Sequence, residues 1–192
     1  MPTRIIVATL AALLITPSAT GSEPLLAALH ASGPYAPQAE QMAAFGRFVG
    51  DWDLVVEYQQ DDGSWQGTVG EWHFGWILQG RAIQDVWTVY RPGAKRGDAT
   101  QIMGYGTTVR VFDARSNSWH VNWMGVLNHN YTLFEARATD GEIVMDATDG
   151  EGHPFQWIFY DIGENSFRWR AQSSADDRKT WTIAQRMTAV RH

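Results

Sequence analysis

The chain has 192 residues, enough for one domain with a substantial core. Its hydrophobic share of 44% and charged share of 19% are those of a soluble globular protein, and a net charge of −6 with scattered basic residues argues against nucleic-acid binding. With no cysteine, disulfides, thiolate metal sites and cysteine nucleophiles are excluded.

Residues 1–21 read as a signal peptide. Arg4 supplies a short positive region, Ile5 to Ile15 is an uncharged, mostly apolar run of eleven residues, and Pro17 breaks it ahead of Ser18, Ala19, Thr20 and Gly21. Cleavage after Ala19 or Gly21 fits the small-residue rule. The run is too short for an ordinary transmembrane helix, so no stable membrane insertion is expected. The mature protein is expected to be periplasmic or secreted. Residues 22–37, with Pro24, Gly33, Pro34 and Pro37, read as a flexible N-terminal arm. In residues 38–48, Met42 and Phe45 fall on one side of a short helix that could close one end of a barrel.

The rest reads as strands. The first spans about Asp51 to Gln60, where Trp52, Leu54, Val56 and Tyr58 alternate with Asp51, Asp53, Val55 and Glu57. Asp61-Asp62-Gly63 turns into a second strand, about Ser64 to Phe74, and a third follows from about Arg81 to Arg91. A polar loop leads to a fourth, about Thr100 to Phe112, whose Gly104 and Gly106 suggest a bulge, a sharp bend or close approach of another backbone. Six more are expected at about Ser118–Met124, Tyr131–Ala138, Glu142–Thr148, Pro154–Tyr160, Ser166–Ser173 and Thr180–Val190. Turns include Asp140-Gly141, Asp149-Gly150 and Asp176-Asp177, with an irregular segment over Gly125 to Asn130. Connections this short force neighbours antiparallel, and closing the sheet removes its edges. The expected fold is therefore all-β, an antiparallel meander of about ten strands closed into a barrel with a short N-terminal helix. Such a barrel can hold one small ligand.

The stretch Phe48-Val49-Gly50-Asp51-Trp52-Asp53 opens the first strand after a short helix. This Gly-x-Trp resembles the start of lipocalin-like (calycin-type) barrels. The pieces Glu71-Trp72-His73-Phe74, Leu78 to Trp87 and Arg168-Trp169-Arg170, with Ser173-Ser174 and Lys179-Thr180-Trp181, resemble a bacterial lipocalin-like domain family of unknown function. The resemblance covers roughly residues 45–190 and implies that 38–192 is one lipocalin-like β-barrel domain. It implies no activity. Haem-carrying barrels of the nitrobindin type open with a longer Gly-rich Trp motif. Here Asp51 and Asp53 flank the Trp, which argues against haem, and no cofactor is expected.

Ten tryptophans, one on nearly every strand, exceed what a core of this size needs. Trp72, Trp87 and Trp123 are the candidates for lining a cavity. Asp85 and Arg110 lie on otherwise apolar strands, and a buried carboxylate requires a partner, so an internal pair able to orient a ligand is one reading. Solvent-facing positions on a half-wet sheet are the other. His129 joins them as a ligand-binding candidate in the irregular segment. Glu71 and His73 share one face of a strand and could act as an acid–base couple, with His120, His129 and Asp85 as further candidates. The histidine spacing matches no metal motif, and no metal is expected. Arg168 and Arg170 could meet an anion or pair with neighbouring carboxylates.

The reading that emerges is binding of a small apolar or aromatic molecule inside the barrel. The alternative is a cofactor-independent lyase, isomerase or cyclase using a His/carboxylate group in the same cavity. An inward His beside an inward carboxylate would favour the enzyme, and aromatic walls with one ion pair the binder. Excess apolar sheet surface leaves room for a homodimer.

Overall fold

The structure, a computed structural model, describes residues 23–139 and 141–192. The expected leader over 1–21 lies outside them, as do Ser22 and Asp140 of the expected arm and turn. The segment 23–38 forms α1 (Glu23–Leu29), which buries no side chain, then β1 (His30–Ala31) and a short 3-10 turn. β1 pairs with Trp76 and Ile77, and Tyr35 N–H donates to Gly80 O at 2.9 Å. Next come α2 (Ala39–Gly46), β2 (Gly50–Gln59), β3 (Trp65–Ile77), β4 (Ala82–Tyr90), β5 (Ile102–Asp113) and β6 (Ser118–Gly125). The chain ends with β7 (Asn130–Thr139), β8 (Glu142–Thr148), β9 (Pro154–Tyr160), β10 (Ser166–Ser173) and β11 (Thr182–Arg191).

Strands β2 to β11 form a closed antiparallel ring of ten, each paired with its sequence neighbours and β11 pairing back to β2. Closure leaves no edge among them. β3 runs past the expected end at Phe74 because Gly75, Trp76 and Ile77 pair with Gln84, Ile83 and Ala82. β11 starts later than expected because the Asp176 carboxylate holds Thr180, accepting from its N–H at 2.8 Å and its hydroxyl at 2.7 Å. Such side-chain-to-backbone bonds compete with the sheet ladder.

Strand parity separates core from surface. Trp52, Leu54 and Val56 of β2 are buried and Asp51 and Val55 exposed; on β3 Trp72 and Phe74 are buried and His73 exposed. On β6 Trp119, Val121 and Trp123 point inward, with His120 and Asn122 outside.

One end of the barrel is filled. α2 sends Met42 and Phe45 into it, and Phe48 follows, all at most 1% exposed. Phe45 meets Trp119 edge-on at 4.9 Å, and Phe48 lies 4.8 Å from both Phe159 and Phe167. The Gly-x-Trp motif locks this plug to the seam. Trp52 Nε1–H donates to Phe48 O at 2.7 Å, and the Arg191 guanidinium from the last strand covers the Trp52 ring at 4.2 Å. Arg191 also donates to Val49 O at 3.1 Å and Arg47 O at 3.0 Å. Gly50 has φ of 126°, a backbone conformation that favours glycine, and a Cβ there would displace the Arg191 guanidinium.

Candidate functional site

The other half of the barrel is not filled. It holds a cavity of about 140 Å³, open at one end, bordered by Trp72, Trp87, Trp123, Trp157 and Trp169. Tyr58, Thr108, Gln185 and Met187 complete its walls, and Tyr105, Gly125, Asn128 and Asn130 stand at its mouth. The indoles form a belt of neighbours with ring centroids 5.8 Å apart (Trp87–Trp123), 5.4 Å (Trp123–Trp157), 5.4 Å (Trp157–Trp169) and 6.4 Å (Trp169–Trp72). All four contacts are edge-to-face, the favoured geometry for aromatic pairs. Thus Trp72, Trp87 and Trp123 do line a cavity. Trp157 and Trp169 line it too, and nothing in strand periodicity separates them from the tryptophans of the core.

The two glycines of β5 make this belt fit. A Cβ on Gly104 would sit 2.8 Å from the Trp87 ring, and one on Gly106 would sit 2.7 Å from both Trp123 Cζ2 and Met124 O. The β4–β5 register shifts beside Gly104, where Val89 pairs with Gly104 and Tyr90 with Ile102, so a bulge is present there; at both glycines what comes close is an indole, joined at Gly106 by the Met124 backbone. Gly106→Ala is expected to push the Trp123 ring into the cavity and cost about 1–3 kcal/mol, the usual penalty for overpacking. Urea melts would give the cost, and a shift of tryptophan emission would report the ring. An alanine variant with unchanged stability and emission would contradict this account.

Asp85 and Arg110 are brought together. Arg110 Nη1 donates to Asp85 Oδ2 at 2.5 Å, with the two side chains 1% and 0% exposed. Thr108 N–H donates to Asp85 Oδ1 at 3.0 Å, and the guanidinium lies between the rings of Phe45 (5.0 Å) and Phe74 (5.2 Å). The Trp72 indole N–H is turned toward the same carboxylate but makes no hydrogen bond of normal geometry. Burial pushes the Asp85 carboxyl above its ordinary range, against the opposing pull of Arg110. The pair sits between plug and cavity, where Asp85 is in register with Thr108 and Arg110 with Ile83. Neither side chain borders the cavity; Thr108 and Trp72, which touch Asp85 or face it, do.

The acid–base candidates lie elsewhere. Glu71 and His73 share the outer face of β3, but each takes another partner. His73 Nδ1 is 2.7 Å from Asp51 Oδ1, whereas Glu71 Oε2 accepts from the Tyr90 hydroxyl at 2.5 Å. His120 is exposed on the outside of β6, 3.5 Å from Asp113. His129 is exposed on the turn after β6, with φ of 52°, between the two asparagines of the mouth and outside the lining. Arg168 faces Asp161 at 3.5 Å and Arg170 faces Glu142 at 3.3 Å, so both pair with nearby carboxylates. Exposed pairs of this kind contribute little to stability. Among the described residues, no His, Asp or Glu borders the cavity.

Tyr58 stands at the cavity wall with its phenol pushed up to about 12 by burial, which keeps it a neutral group at physiological pH. A wider groove of about 540 Å³ lies at the plug end between α2, Trp76 and residues 162–164. It is more open to solvent than the indole-lined cavity, which is therefore the candidate site.

Among solved structures, the chain is similar to the S-type phycobiliprotein lyase CPES from Guillardia theta. The two share 13% identity and a TM-score of 0.54, over 77% of this chain and 90% of that one. The fold is a lipocalin-like barrel. At that identity the likeness extends to the fold and no further. EF1p2_mFAP2b, solved bound to DFHBI, aligns at 15% identity over 79% of this chain and 99% of that one, but its TM-score of 0.36 is too low to weigh. No family model matches the chain, and no curated protein does.

Proposed function

We propose that this protein binds a small, largely apolar or aromatic molecule in the open half of its barrel. The observation that supports this reading is the cavity belted by five indoles. Its volume of about 140 Å³ sets the scale of the ligand. An apolar cavity of about 150 Å³ holds one benzene, and drug-sized ligands use about 300–1,000 Å³. A single-ring molecule fits the cavity as it stands, and a larger one requires Trp87 or Trp123 to swing toward the mouth. An acid–base enzyme would need a proton-transfer group within reach of the substrate. The described lining offers aromatic walls above one buried ion pair, which favours a binder. The proposal includes a periplasmic or secreted location, on the strength of the leader-like residues 1–21, and kinship with bacterial lipocalin-like domains of unknown function, on the strength of the motif resemblance.

The test is a titration with toluene, followed by the indole N–H resonances of the tryptophans. Saturable shifts of Trp72, Trp87 and Trp123, with Trp52 and Trp181 unmoved, are expected. Absence of saturable shifts, or shifts confined to tryptophans outside the belt, would overturn the reading.

A further inference from the structure

The cavity wall is unevenly supplied with hydrogen-bonding groups. Of its indoles, Trp87 donates to Met187 Sδ at 3.4 Å and Trp123 to Asn130 Oδ1 at 3.3 Å, so these N–H groups are occupied. Trp72 Nε1, Trp169 Nε1 and Gln185 Nε2, on residues that border the cavity, have no partner and are closed off from solvent, so a ligand meets them once the ring or amide turns slightly. Trp169 and Gln185 lie on neighbouring strands, in register with Met187 and Ala171, so they share the β10–β11 wall. An indole N–H has no lone pair to offer, so what is missing beside it is an acceptor. Gln185 can present either end of its amide, but the indoles can only donate. Trp72 is turned toward the Asp85 carboxylate, whereas no carboxylate in the described lining answers Trp169.

Charge narrows the ligand further. Asp85 and Arg110, directly beneath the cavity, already neutralise each other. A ligand anion placed above them would be a buried charge without a counter-ion, which is far costlier than a buried neutral dipole. We infer that the cavity takes a neutral, planar aromatic molecule bearing a carbonyl-type oxygen, with that oxygen directed at the Trp169 and Gln185 donors. This rests on the binding reading above and adds polarity and orientation to it.

Acetophenone and α-methylstyrene test it, because they have nearly the same shape and differ in C=O against C=CH2. Their affinities are measured by calorimetry on the wild type and on the Trp169→Phe/Gln185→Met variant. The ratio of the two affinities is compared between proteins, which cancels each ligand's own hydration. The acetophenone preference is expected to fall about tenfold or more in the variant, the size of one or two lost hydrogen bonds. Loss of ring area at position 169 affects both ligands alike and leaves the ratio untouched. If the variant proves unstable, the wild-type Trp169 N–H resonance serves instead, moving downfield with acetophenone and not with α-methylstyrene. An unchanged ratio, or an N–H resonance indifferent to the carbonyl, overturns the acceptor assignment. Benzoate binding more tightly than acetophenone at pH 7 overturns neutrality. Failure of both neutral probes and of toluene removes the binding reading itself, a distinct result.

Discussion

Arg110→Met is expected to destabilise the folded barrel by about 3–5 kcal/mol. The substitution leaves Asp85 fully buried among apolar side chains with Thr108 N–H as its remaining hydrogen-bond donor of normal geometry. A carboxylate in that position must protonate or admit water, and both cost stability. The pair itself is worth much less than this loss suggests, since much of its Coulombic attraction is consumed in stripping water from both ions. The double variant Asp85→Leu/Arg110→Met should therefore recover most of the deficit, leaving the cost of an unanswered Thr108 N–H. Urea unfolding of both variants separates the two statements. A single variant within about 1 kcal/mol of wild type would mean that water reaches Asp85, contrary to its complete burial here.

Phe48→Ala is expected to cost about 3–5 kcal/mol, the range for deleting a buried aromatic ring. The side chain is 1% exposed and contacts Phe159 and Phe167 at 4.8 Å and Phe74 at 5.8 Å. These rings are fixed by their own strands, so the space cannot collapse, and the cost depends on how much of the void remains. Trp87→Ala removes a larger ring but should cost less. Trp87 is only partly buried and already borders empty space, so few packing contacts are lost. Thermal or urea melts that reverse this order would mean that the belt, rather than the plug, holds the barrel together. In the expected order, the plug supplies stability and the belt is free to serve binding.

Much of this architecture was readable from residue types. Ten strands with short turns leave antiparallel closure as the natural arrangement, because two-residue and few-residue links cannot reach a parallel neighbour. The Asp85–Arg110 contact was legible for a different reason. A carboxylate and a guanidinium on apolar strands have few affordable arrangements other than each other or water, and the register of β4 on β5 settles it in favour of each other. Glu71 and His73 border one outer groove with Asp51, Asp53 and His192, but they do not pair with each other. Residues two apart share a face, but a cross-strand partner lies as near, and for His73 that is Asp51. Arg191 left no mark in the sequence beyond a basic last strand, since its partners Val49 O and Arg47 O are backbone atoms far away along the chain.

By itself, the sequence determined the class of fold, the ten strands of the barrel, most of the turns and the aromatic excess. These follow from local rules: a period of two, turn chemistry and side-chain size. Tertiary structure alone decided which face of β3 and β6 points inward, because a strand with Trp72, Phe74 and Trp76 on one face and Glu71 and His73 on the other becomes directional only once its neighbours are placed. It also decided which half of the barrel is empty. That depends on α2 and Phe48 entering one end, so that five of the ten tryptophans border space instead of filling it. A cavity is a shortfall of volume summed over many strands, and no single stretch of chain encodes it.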